Sequence, residues 1–177
     1  MMDIQKLLHE YNQGYRDFSR TRLHEFDLRG SYLCGIDLSA ADLSSADLSG
    51  ANLSRAILKG ANMTDADLSG ADLSGANLCN VNLIGADLRN AILVGANLAG
   101  ADMRSAELEQ ADLRGANLKD VAVSGANFCN ANLTSACIEA VDLDGADLEG
   151  VDLTQLNSCH VGMNSGTEHR WISWGTH

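Results

Sequence analysis

Leucine returns at every fifth position of this chain. From Arg16 to Gln155 the sequence reads as 28 consecutive pentapeptides of the form Ala-Asp/Asn-Leu-x-x, without insertion or deletion. The central apolar residue begins at Phe18, Leu23 and Leu28 and runs to Leu153, with Met63, Met103, Val123, Phe128 and Ile138 as conservative replacements. Two residues earlier lies alanine in most repeats, as at Ala41, Ala46, Ala51 and Ala56. A period of five fits neither the helical period of about 3.6 nor the strand period of about 2, so no long helix or strand would gather these leucines on one face. The chain has to turn once per repeat.

Within a repeat, Ala and Leu are two apart and fall on the same side of a short extended segment, while the Asp or Asn between them points the other way. Gly, Ser and Asn after each Leu supply turn chemistry. If each pentapeptide makes one side and one corner, four repeats close a square and the whole run makes about seven coils. Stretches such as ADLSSADLSGANLS and GADLSGANL resemble the pentapeptide-repeat family, and the resemblance spans residues 16–155. It implies an all-β solenoid, a right-handed quadrilateral β-helix. At the parallel-strand spacing of about 4.8 Å, seven coils give a rod about 34 Å long.

A solenoid exposes apolar faces and unpaired edges at its ends and needs caps. Residues 1–15 are expected to provide the first. Ile4, Leu7, Leu8 and Tyr11 follow helical spacing, with Asp3 as N-cap and Gly14 as C-terminal stop. Arg16, Thr21, Phe26 and Ser31 replace alanine in the opening repeats, and bulky Phe26 is expected to plug the wider mouth. The order of helix, Tyr11, Gly14, Arg16 and Phe18 resembles the N-terminal cap of cyanobacterial family members. Residues 156–177 lose the register and carry both tryptophans, Trp171 and Trp174. They are expected to be a cap on the last coil, a seam for an end-to-end dimer, or a partly disordered tail; partial disorder is the reading taken.

Charge narrows the partners. Twelve Lys and Arg stand against 24 Asp and Glu, for a net charge of -12, which disfavours a direct nucleic-acid partner or an anionic membrane surface. No run reaches the length of apolar residues that spans a bilayer, and the first residues lack the pattern of a secretion signal, so a cytoplasmic location is expected. Five cysteines without C-x-x-C spacing fit a reducing compartment. Cys34, Cys79, Cys129 and Cys137 map to different faces or distant coils, beyond disulfide reach of one another. Cys159, beside His160, is expected to be a free thiol unless the tail folds back.

Residues 20 apart should stack, which turns the sequence into a surface map. One column reads Asp27, Asp47, Asp67, Asp87, Glu107, Asn127, Asp147, a nearly continuous acidic ladder relieved in part by Arg29 and Arg89. It is the candidate interaction face, although Asp and Asn also bond local backbone at turns. Ile57, Ile84, Ile92 and Val94 point outward, and Ile92 with Val94 form a candidate apolar patch. The rod is electrically polar: Arg16, Arg20, Arg22 and Arg29 lie at one end, and the last repeats are acidic without a basic residue.

Flat outer faces and a packed interior offer no concave pocket for catalysis, and no cofactor fingerprint or metal-ligand set is present, so an enzyme is not expected. The leading reading is a scaffold or regulatory module that presents rigid faces to a protein partner of unknown identity. The alternative is DNA mimicry, as in family members that bind DNA gyrase. The charge along this rod is about half as dense as that of duplex DNA, which carries about one charge per 1.7 Å.

Overall fold

The computed structural model describes residues 3–157. It opens with a helix, α1, over Ile4–Asn12, one residue beyond the stretch expected from the apolar spacing. Asp3 sits in extended conformation at its N-cap, and its Oδ1 accepts the Lys6 N–H at 2.8 Å. The helix ends where the Gln13 N–H reaches back to His9 and Glu10 and Gly14 takes a φ of +98°, a value that suits glycine. Leu7 and Tyr11 are buried in the same cluster as the first inward residues of the repeats, Phe18, Leu23 and Leu28. Tyr11 also donates its hydroxyl to Cys34 O at 2.8 Å, and Arg16 lies over its ring at 4.0 Å. Phe26 is half-buried against the core at this end.

The repeats wind as a solenoid in which each residue of the Asp/Asn slot pairs in parallel with the residue 20 positions on, from Asp17 with Asp37 to Cys137 with Asn157. The strands are one bridging residue long. Between bridges the chain turns a corner, so a coil has four sides. The Asp47 level illustrates the bonding: Leu48 donates to Asp67 O at 2.7 Å, Asp67 donates to Ala46 O at 3.0 Å, and Ala51 donates to Leu48 O at 2.9 Å across the turn.

The corner residue, two after each leucine, has a positive φ at every repeat from Arg20 to Gly150. This is the third position of the turn, where a type II geometry requires it. Glycine fills many of these corners without strain, and Arg20, Glu25, Ala40 and Arg55 are among those that adopt the left-handed region with a Cβ. From Arg20 to Ser135 the corner N–H also finds a carbonyl on the next coil, as when Gly70 donates to Arg89 O at 2.9 Å.

Inside, the expected Ala and Leu positions are closed to solvent: Ala46, Leu48, Ala86 and Leu88 are each 0% exposed. No polar residue is buried among the described residues, and no buried side-chain N or O there lacks a partner. The interior is a dry column of small aliphatic side chains, each held above and below by its equivalents in the neighbouring coils.

The unbroken register expected to Gln155 fails in the last coil. Ala122 and Asp142 do not bridge, nor do Asn132 and Asp152, and Gly125 donates to Gly145, one residue further on than the regular pattern. Both failures fall where the last coil carries a branched side chain in the slot that the narrow coil otherwise gives alanine, Val141 before Asp142 and Val151 before Asp152. Leu153, expected inward, is 37% exposed within a short 3-10 turn over Leu153–Gln155. The expectations for residues 158–177, including Trp171, Trp174, Cys159 and His160, lie outside the described residues.

Two measurements check this account. Ala40 is exposed and holds φ +53°, so Ala40→Gly should relieve strain and raise stability by up to about 1 kcal/mol in denaturant unfolding. Its neighbour Ala41 is buried with ordinary φ, and Ala41→Gly should lower it. Leu88→Ala, in a middle coil, should cost about 2 to 5 kcal/mol. An unchanged midpoint for Leu88→Ala would contradict the inward placement of the leucines.

Candidate interaction face

The stacked pairs place the candidate acidic residues in one column. Asp27 bridges Asp47, Asp47 bridges Asp67, Asp67 bridges Asp87, and the ladder continues through Glu107 and Asn127 to Asp147. Asp27, Glu107 and Asp147 are exposed, and Asp47, Asp67 and Asp87 are half-buried by their own corners.

Each carboxylate has a local task. Asp47 Oδ1 accepts the Ser49 N–H at 3.1 Å and its hydroxyl at 2.7 Å; Asp67 accepts the Ser69 N–H at 2.9 Å; Asp147 accepts the Glu149 N–H at 3.0 Å. The same bond recurs with asparagine, as when Asn52 takes the Ser54 N–H at 3.1 Å and Asn82 the Ile84 N–H at 3.1 Å. Where Asp or Asn fills the slot, the corner therefore uses one side-chain oxygen and no charge, and at Ile57 and Ile92 it forms without that oxygen.

Charge is nonetheless concentrated here. The column from Asp17 reads Asp37, Ile57, Asn77, Asn97, Asn117, and the other two columns mix Asp with Asn, Ile or Ala. Where asparagine follows in a column it can bond across coils: Asn62 Nδ2 reaches Asp42 at 3.3 Å, Asn117 Nδ2 reaches Asn97 at 3.0 Å, and Asn127 Nδ2 reaches Glu107 at 2.9 Å. Ionised Asp67 above Asp47 has no proton to donate. Two like charges at about one coil spacing repel by about 1 kcal/mol in water-like surroundings.

Two arginines moderate the ladder. Arg29 grips Asp27 with Nε at 2.9 Å and Nη2 at 2.7 Å, and its Nε also lies 3.4 Å from Asp47. Arg89 forks onto Asp87 in the same way. The fork recurs off the face at Arg104 with Asp102 and Arg114 with Asp112. Its sequence signal is Asp-Leu-Arg or Asp-Met-Arg, which puts both side chains on one corner. Hydrogen bonds from these arginines hold Asp27, Asp87, Asp102 and Asp112 below the usual carboxylate range and push the guanidinium values up.

Other candidates separate. Ile92 is 40% exposed and Val94 half-buried, so the patch is one isoleucine with a shielded neighbour. Ile57, 39% exposed, lies in a different column. Cys34, Cys79 and Cys129 are free thiols, and Cys137 is disulfide-bonded.

A cluster not anticipated from the sequence joins Cys129 with Asp147 and Glu149, their ligand atoms within 4.8 Å of one another. Burial, then the bond to Asp147 and the charges of Asp147 and Glu149, push the Cys129 thiol up, which keeps it protonated and weak as a ligand. No helix among the described residues is long and apolar enough to cross a membrane.

The family model described as "Pentapeptide repeats (8 copies)" matches residues 17–55, 46–83, 82–120 and 120–155. No curated protein matches the chain. Among solved structures it is similar to Rfr23, a pentapeptide repeat protein from the cyanobacterium Cyanothece 51142, at 27% identity over 82% of this chain and 99% of that one, with a TM-score of 0.59. It is also similar to HetL, a pentapeptide repeat protein involved in heterocyst differentiation regulation from the cyanobacterium Nostoc sp. strain PCC 7120. That likeness has 28% identity over 88% of this chain and 94% of that one, with a TM-score of 0.37. Full-length QnrB1, a plasmid-mediated fluoroquinolone resistance protein, is similar at 21% identity over 79% of this chain and 85% of that one, with a TM-score of 0.41.

The forks set a pH dependence. A carboxylate whose folded value is depressed contributes stability that is full above its unfolded value, about 3.9, and is lost as pH falls through the lower folded value. Acid unfolding should therefore begin below about pH 4 for these groups. Arg89→Gln should return the Asp87 titration, followed by carboxylate NMR, upward toward the ordinary value. An Asp87 titration unmoved by Arg89→Gln would show that the fork is not the cause.

Proposed function

Because the chain belongs to the pentapeptide-repeat family, whose fold is the right-handed quadrilateral β-helix, we propose that it is a non-enzymatic scaffold or regulatory module. Its working surface is the acidic column of Asp27, Asp47, Asp67, Asp87, Glu107 and Asp147, and its partner is a protein with a complementary basic surface. In this reading the rod has about seven coils, α1 closes the first of them, and the protein acts in the cytoplasm.

One observation carries the proposal. The corners work equally well with asparagine, and asparagine adds a bond across coils, yet this column keeps aspartate at four consecutive levels from Asp27 to Asp87. The arrangement costs stability through like-charge repulsion and a forgone hydrogen bond. A feature that the fold does not need, and that works against it, is what a binding surface looks like. Long-range attraction from such a face would speed association and make it sensitive to salt.

The same ladder favours a second reading, mimicry of a nucleic-acid backbone toward a DNA-binding protein such as gyrase. The lower linear charge density and the paired arginines Arg29 and Arg89 place it second.

Replacing Asp47, Asp67 and Asp87 together by Asn tests both. The corner bonds persist and three charges disappear, so the variant should stay folded while losing capture of the partner from native extract. The parent should not inhibit gyrase supercoiling. Undiminished capture by the variant would rule out this face. Inhibition of gyrase by the parent that the variant lacks would make mimicry the function.

A further inference from the structure

The C-terminal end of the rod is uncovered among the described residues. Each inner coil is roofed by the next, and its leucines are closed to solvent. In the last coil Ile138, Val141, Leu143, Leu148, Val151 and Leu156 are only half-buried, and Leu153 is 37% exposed. An apolar end of this kind attracts an occupant, and without one it invites association.

We propose that the occupant is the chain's own segment 158–177, which docks across the end of the last coil with Trp171, Ile172 and Trp174 over Leu143, Leu148 and Leu153. Four observations point to it. The segment leaves from the right place, because Asn157 still pairs with Cys137, donating its N–H to Ala136 O at 2.9 Å and its Nδ2 to Ser135 O at 3.3 Å. Its 20 residues equal one coil, enough to cross the end and return.

Its composition is complementary. The last coil carries Asp142, Asp144, Asp147, Glu149 and Asp152 without a Lys or Arg, and the segment carries Arg170, His160, His169 and His177 against one acid, Glu168. Lastly, Cys137 is disulfide-bonded while Cys34, Cys79 and Cys129 are free, and the remaining cysteine of the chain is Cys159, two residues past Asn157. This inference does not depend on the acidic face being a partner site.

Both tryptophans of the protein lie in the segment, so intrinsic tryptophan fluorescence reports on it alone. The full chain is measured with reductant present, so that a covalent tether through Cys137 is not what holds the segment. Docking predicts emission shifted to the blue of free tryptophan and shielding from acrylamide, both independent of protein concentration. Leu143→Ser with Leu148→Ser should move emission to the red while far-ultraviolet circular dichroism of the coils is unchanged. Because that variant alters the last coil itself, Trp174→Ser supplies a second reading: it should increase binding of an apolar dye several-fold with the coils intact.

Solvent-like emission from the parent would overturn the proposal. So would shielding that grows with concentration, which would make a second copy the occupant, or dye binding unchanged by Trp174→Ser.

Discussion

Every corner from Arg20 to Gly150 turns through a residue with positive φ, and no coil closes without it. A pentapeptide with ordinary backbone angles throughout would continue as an extended strand. The left-handed residue redirects the chain, and repetition at a strict spacing brings it back above itself after 20 residues. Residues with a Cβ bear strain of about 1 to 2 kcal/mol in that region. Glu25 and Arg55 remain there because the turn bond and the bond to the next coil both depend on the corner. Gly and Asn lower the strain, which accounts for much of their abundance just after the leucines.

Closure at constant perimeter explains the narrow interior. Alanine fills the slot beside each leucine because the coil has room for a methyl group and little more, and leucine stacks on leucine along the axis. Where that slot takes valine in the last coil, at Val141 and Val151, the ladder parts. Val81 is tolerated in a middle coil, where Asn82 still holds the turn through the Ile84 N–H and coils press from both sides. The failure thus needs the bulky residue and the lack of a roof together.

Much of this was legible because the period is carried by residue types with one job each. Leu and Ala mark inside, Asp and Asn mark outside, and the twenty-residue stacking that assembles the Asp27 column follows from counting repeats. What the pattern could not disclose is cooperative. Leu153 obeys the pattern and is exposed, since inwardness depends on a coil above it as much as on the residue itself. The arginine forks went unread for a different reason: Arg29 and Arg89 were counted as charges on a face, whereas the corner geometry folds each back onto the aspartate two residues before it.

Separating what the corner needs from what it merely tolerates also bears on how such a rod acquires a surface. Interior positions are fixed by perimeter and the left-handed residue by closure, which leaves the identity of the acceptor as Asp or Asn almost free. Changing one to the other alters charge without moving an atom of the backbone, so a face can be charged level by level at small and graded cost. The Asp17 column, drifting to Asn77, Asn97 and Asn117, has relaxed toward bonds across coils. The Asp27 column has been held away from that relaxation over the same coils. Both columns hang on the same core and corners, so the difference between them is one that the core and the corners do not require.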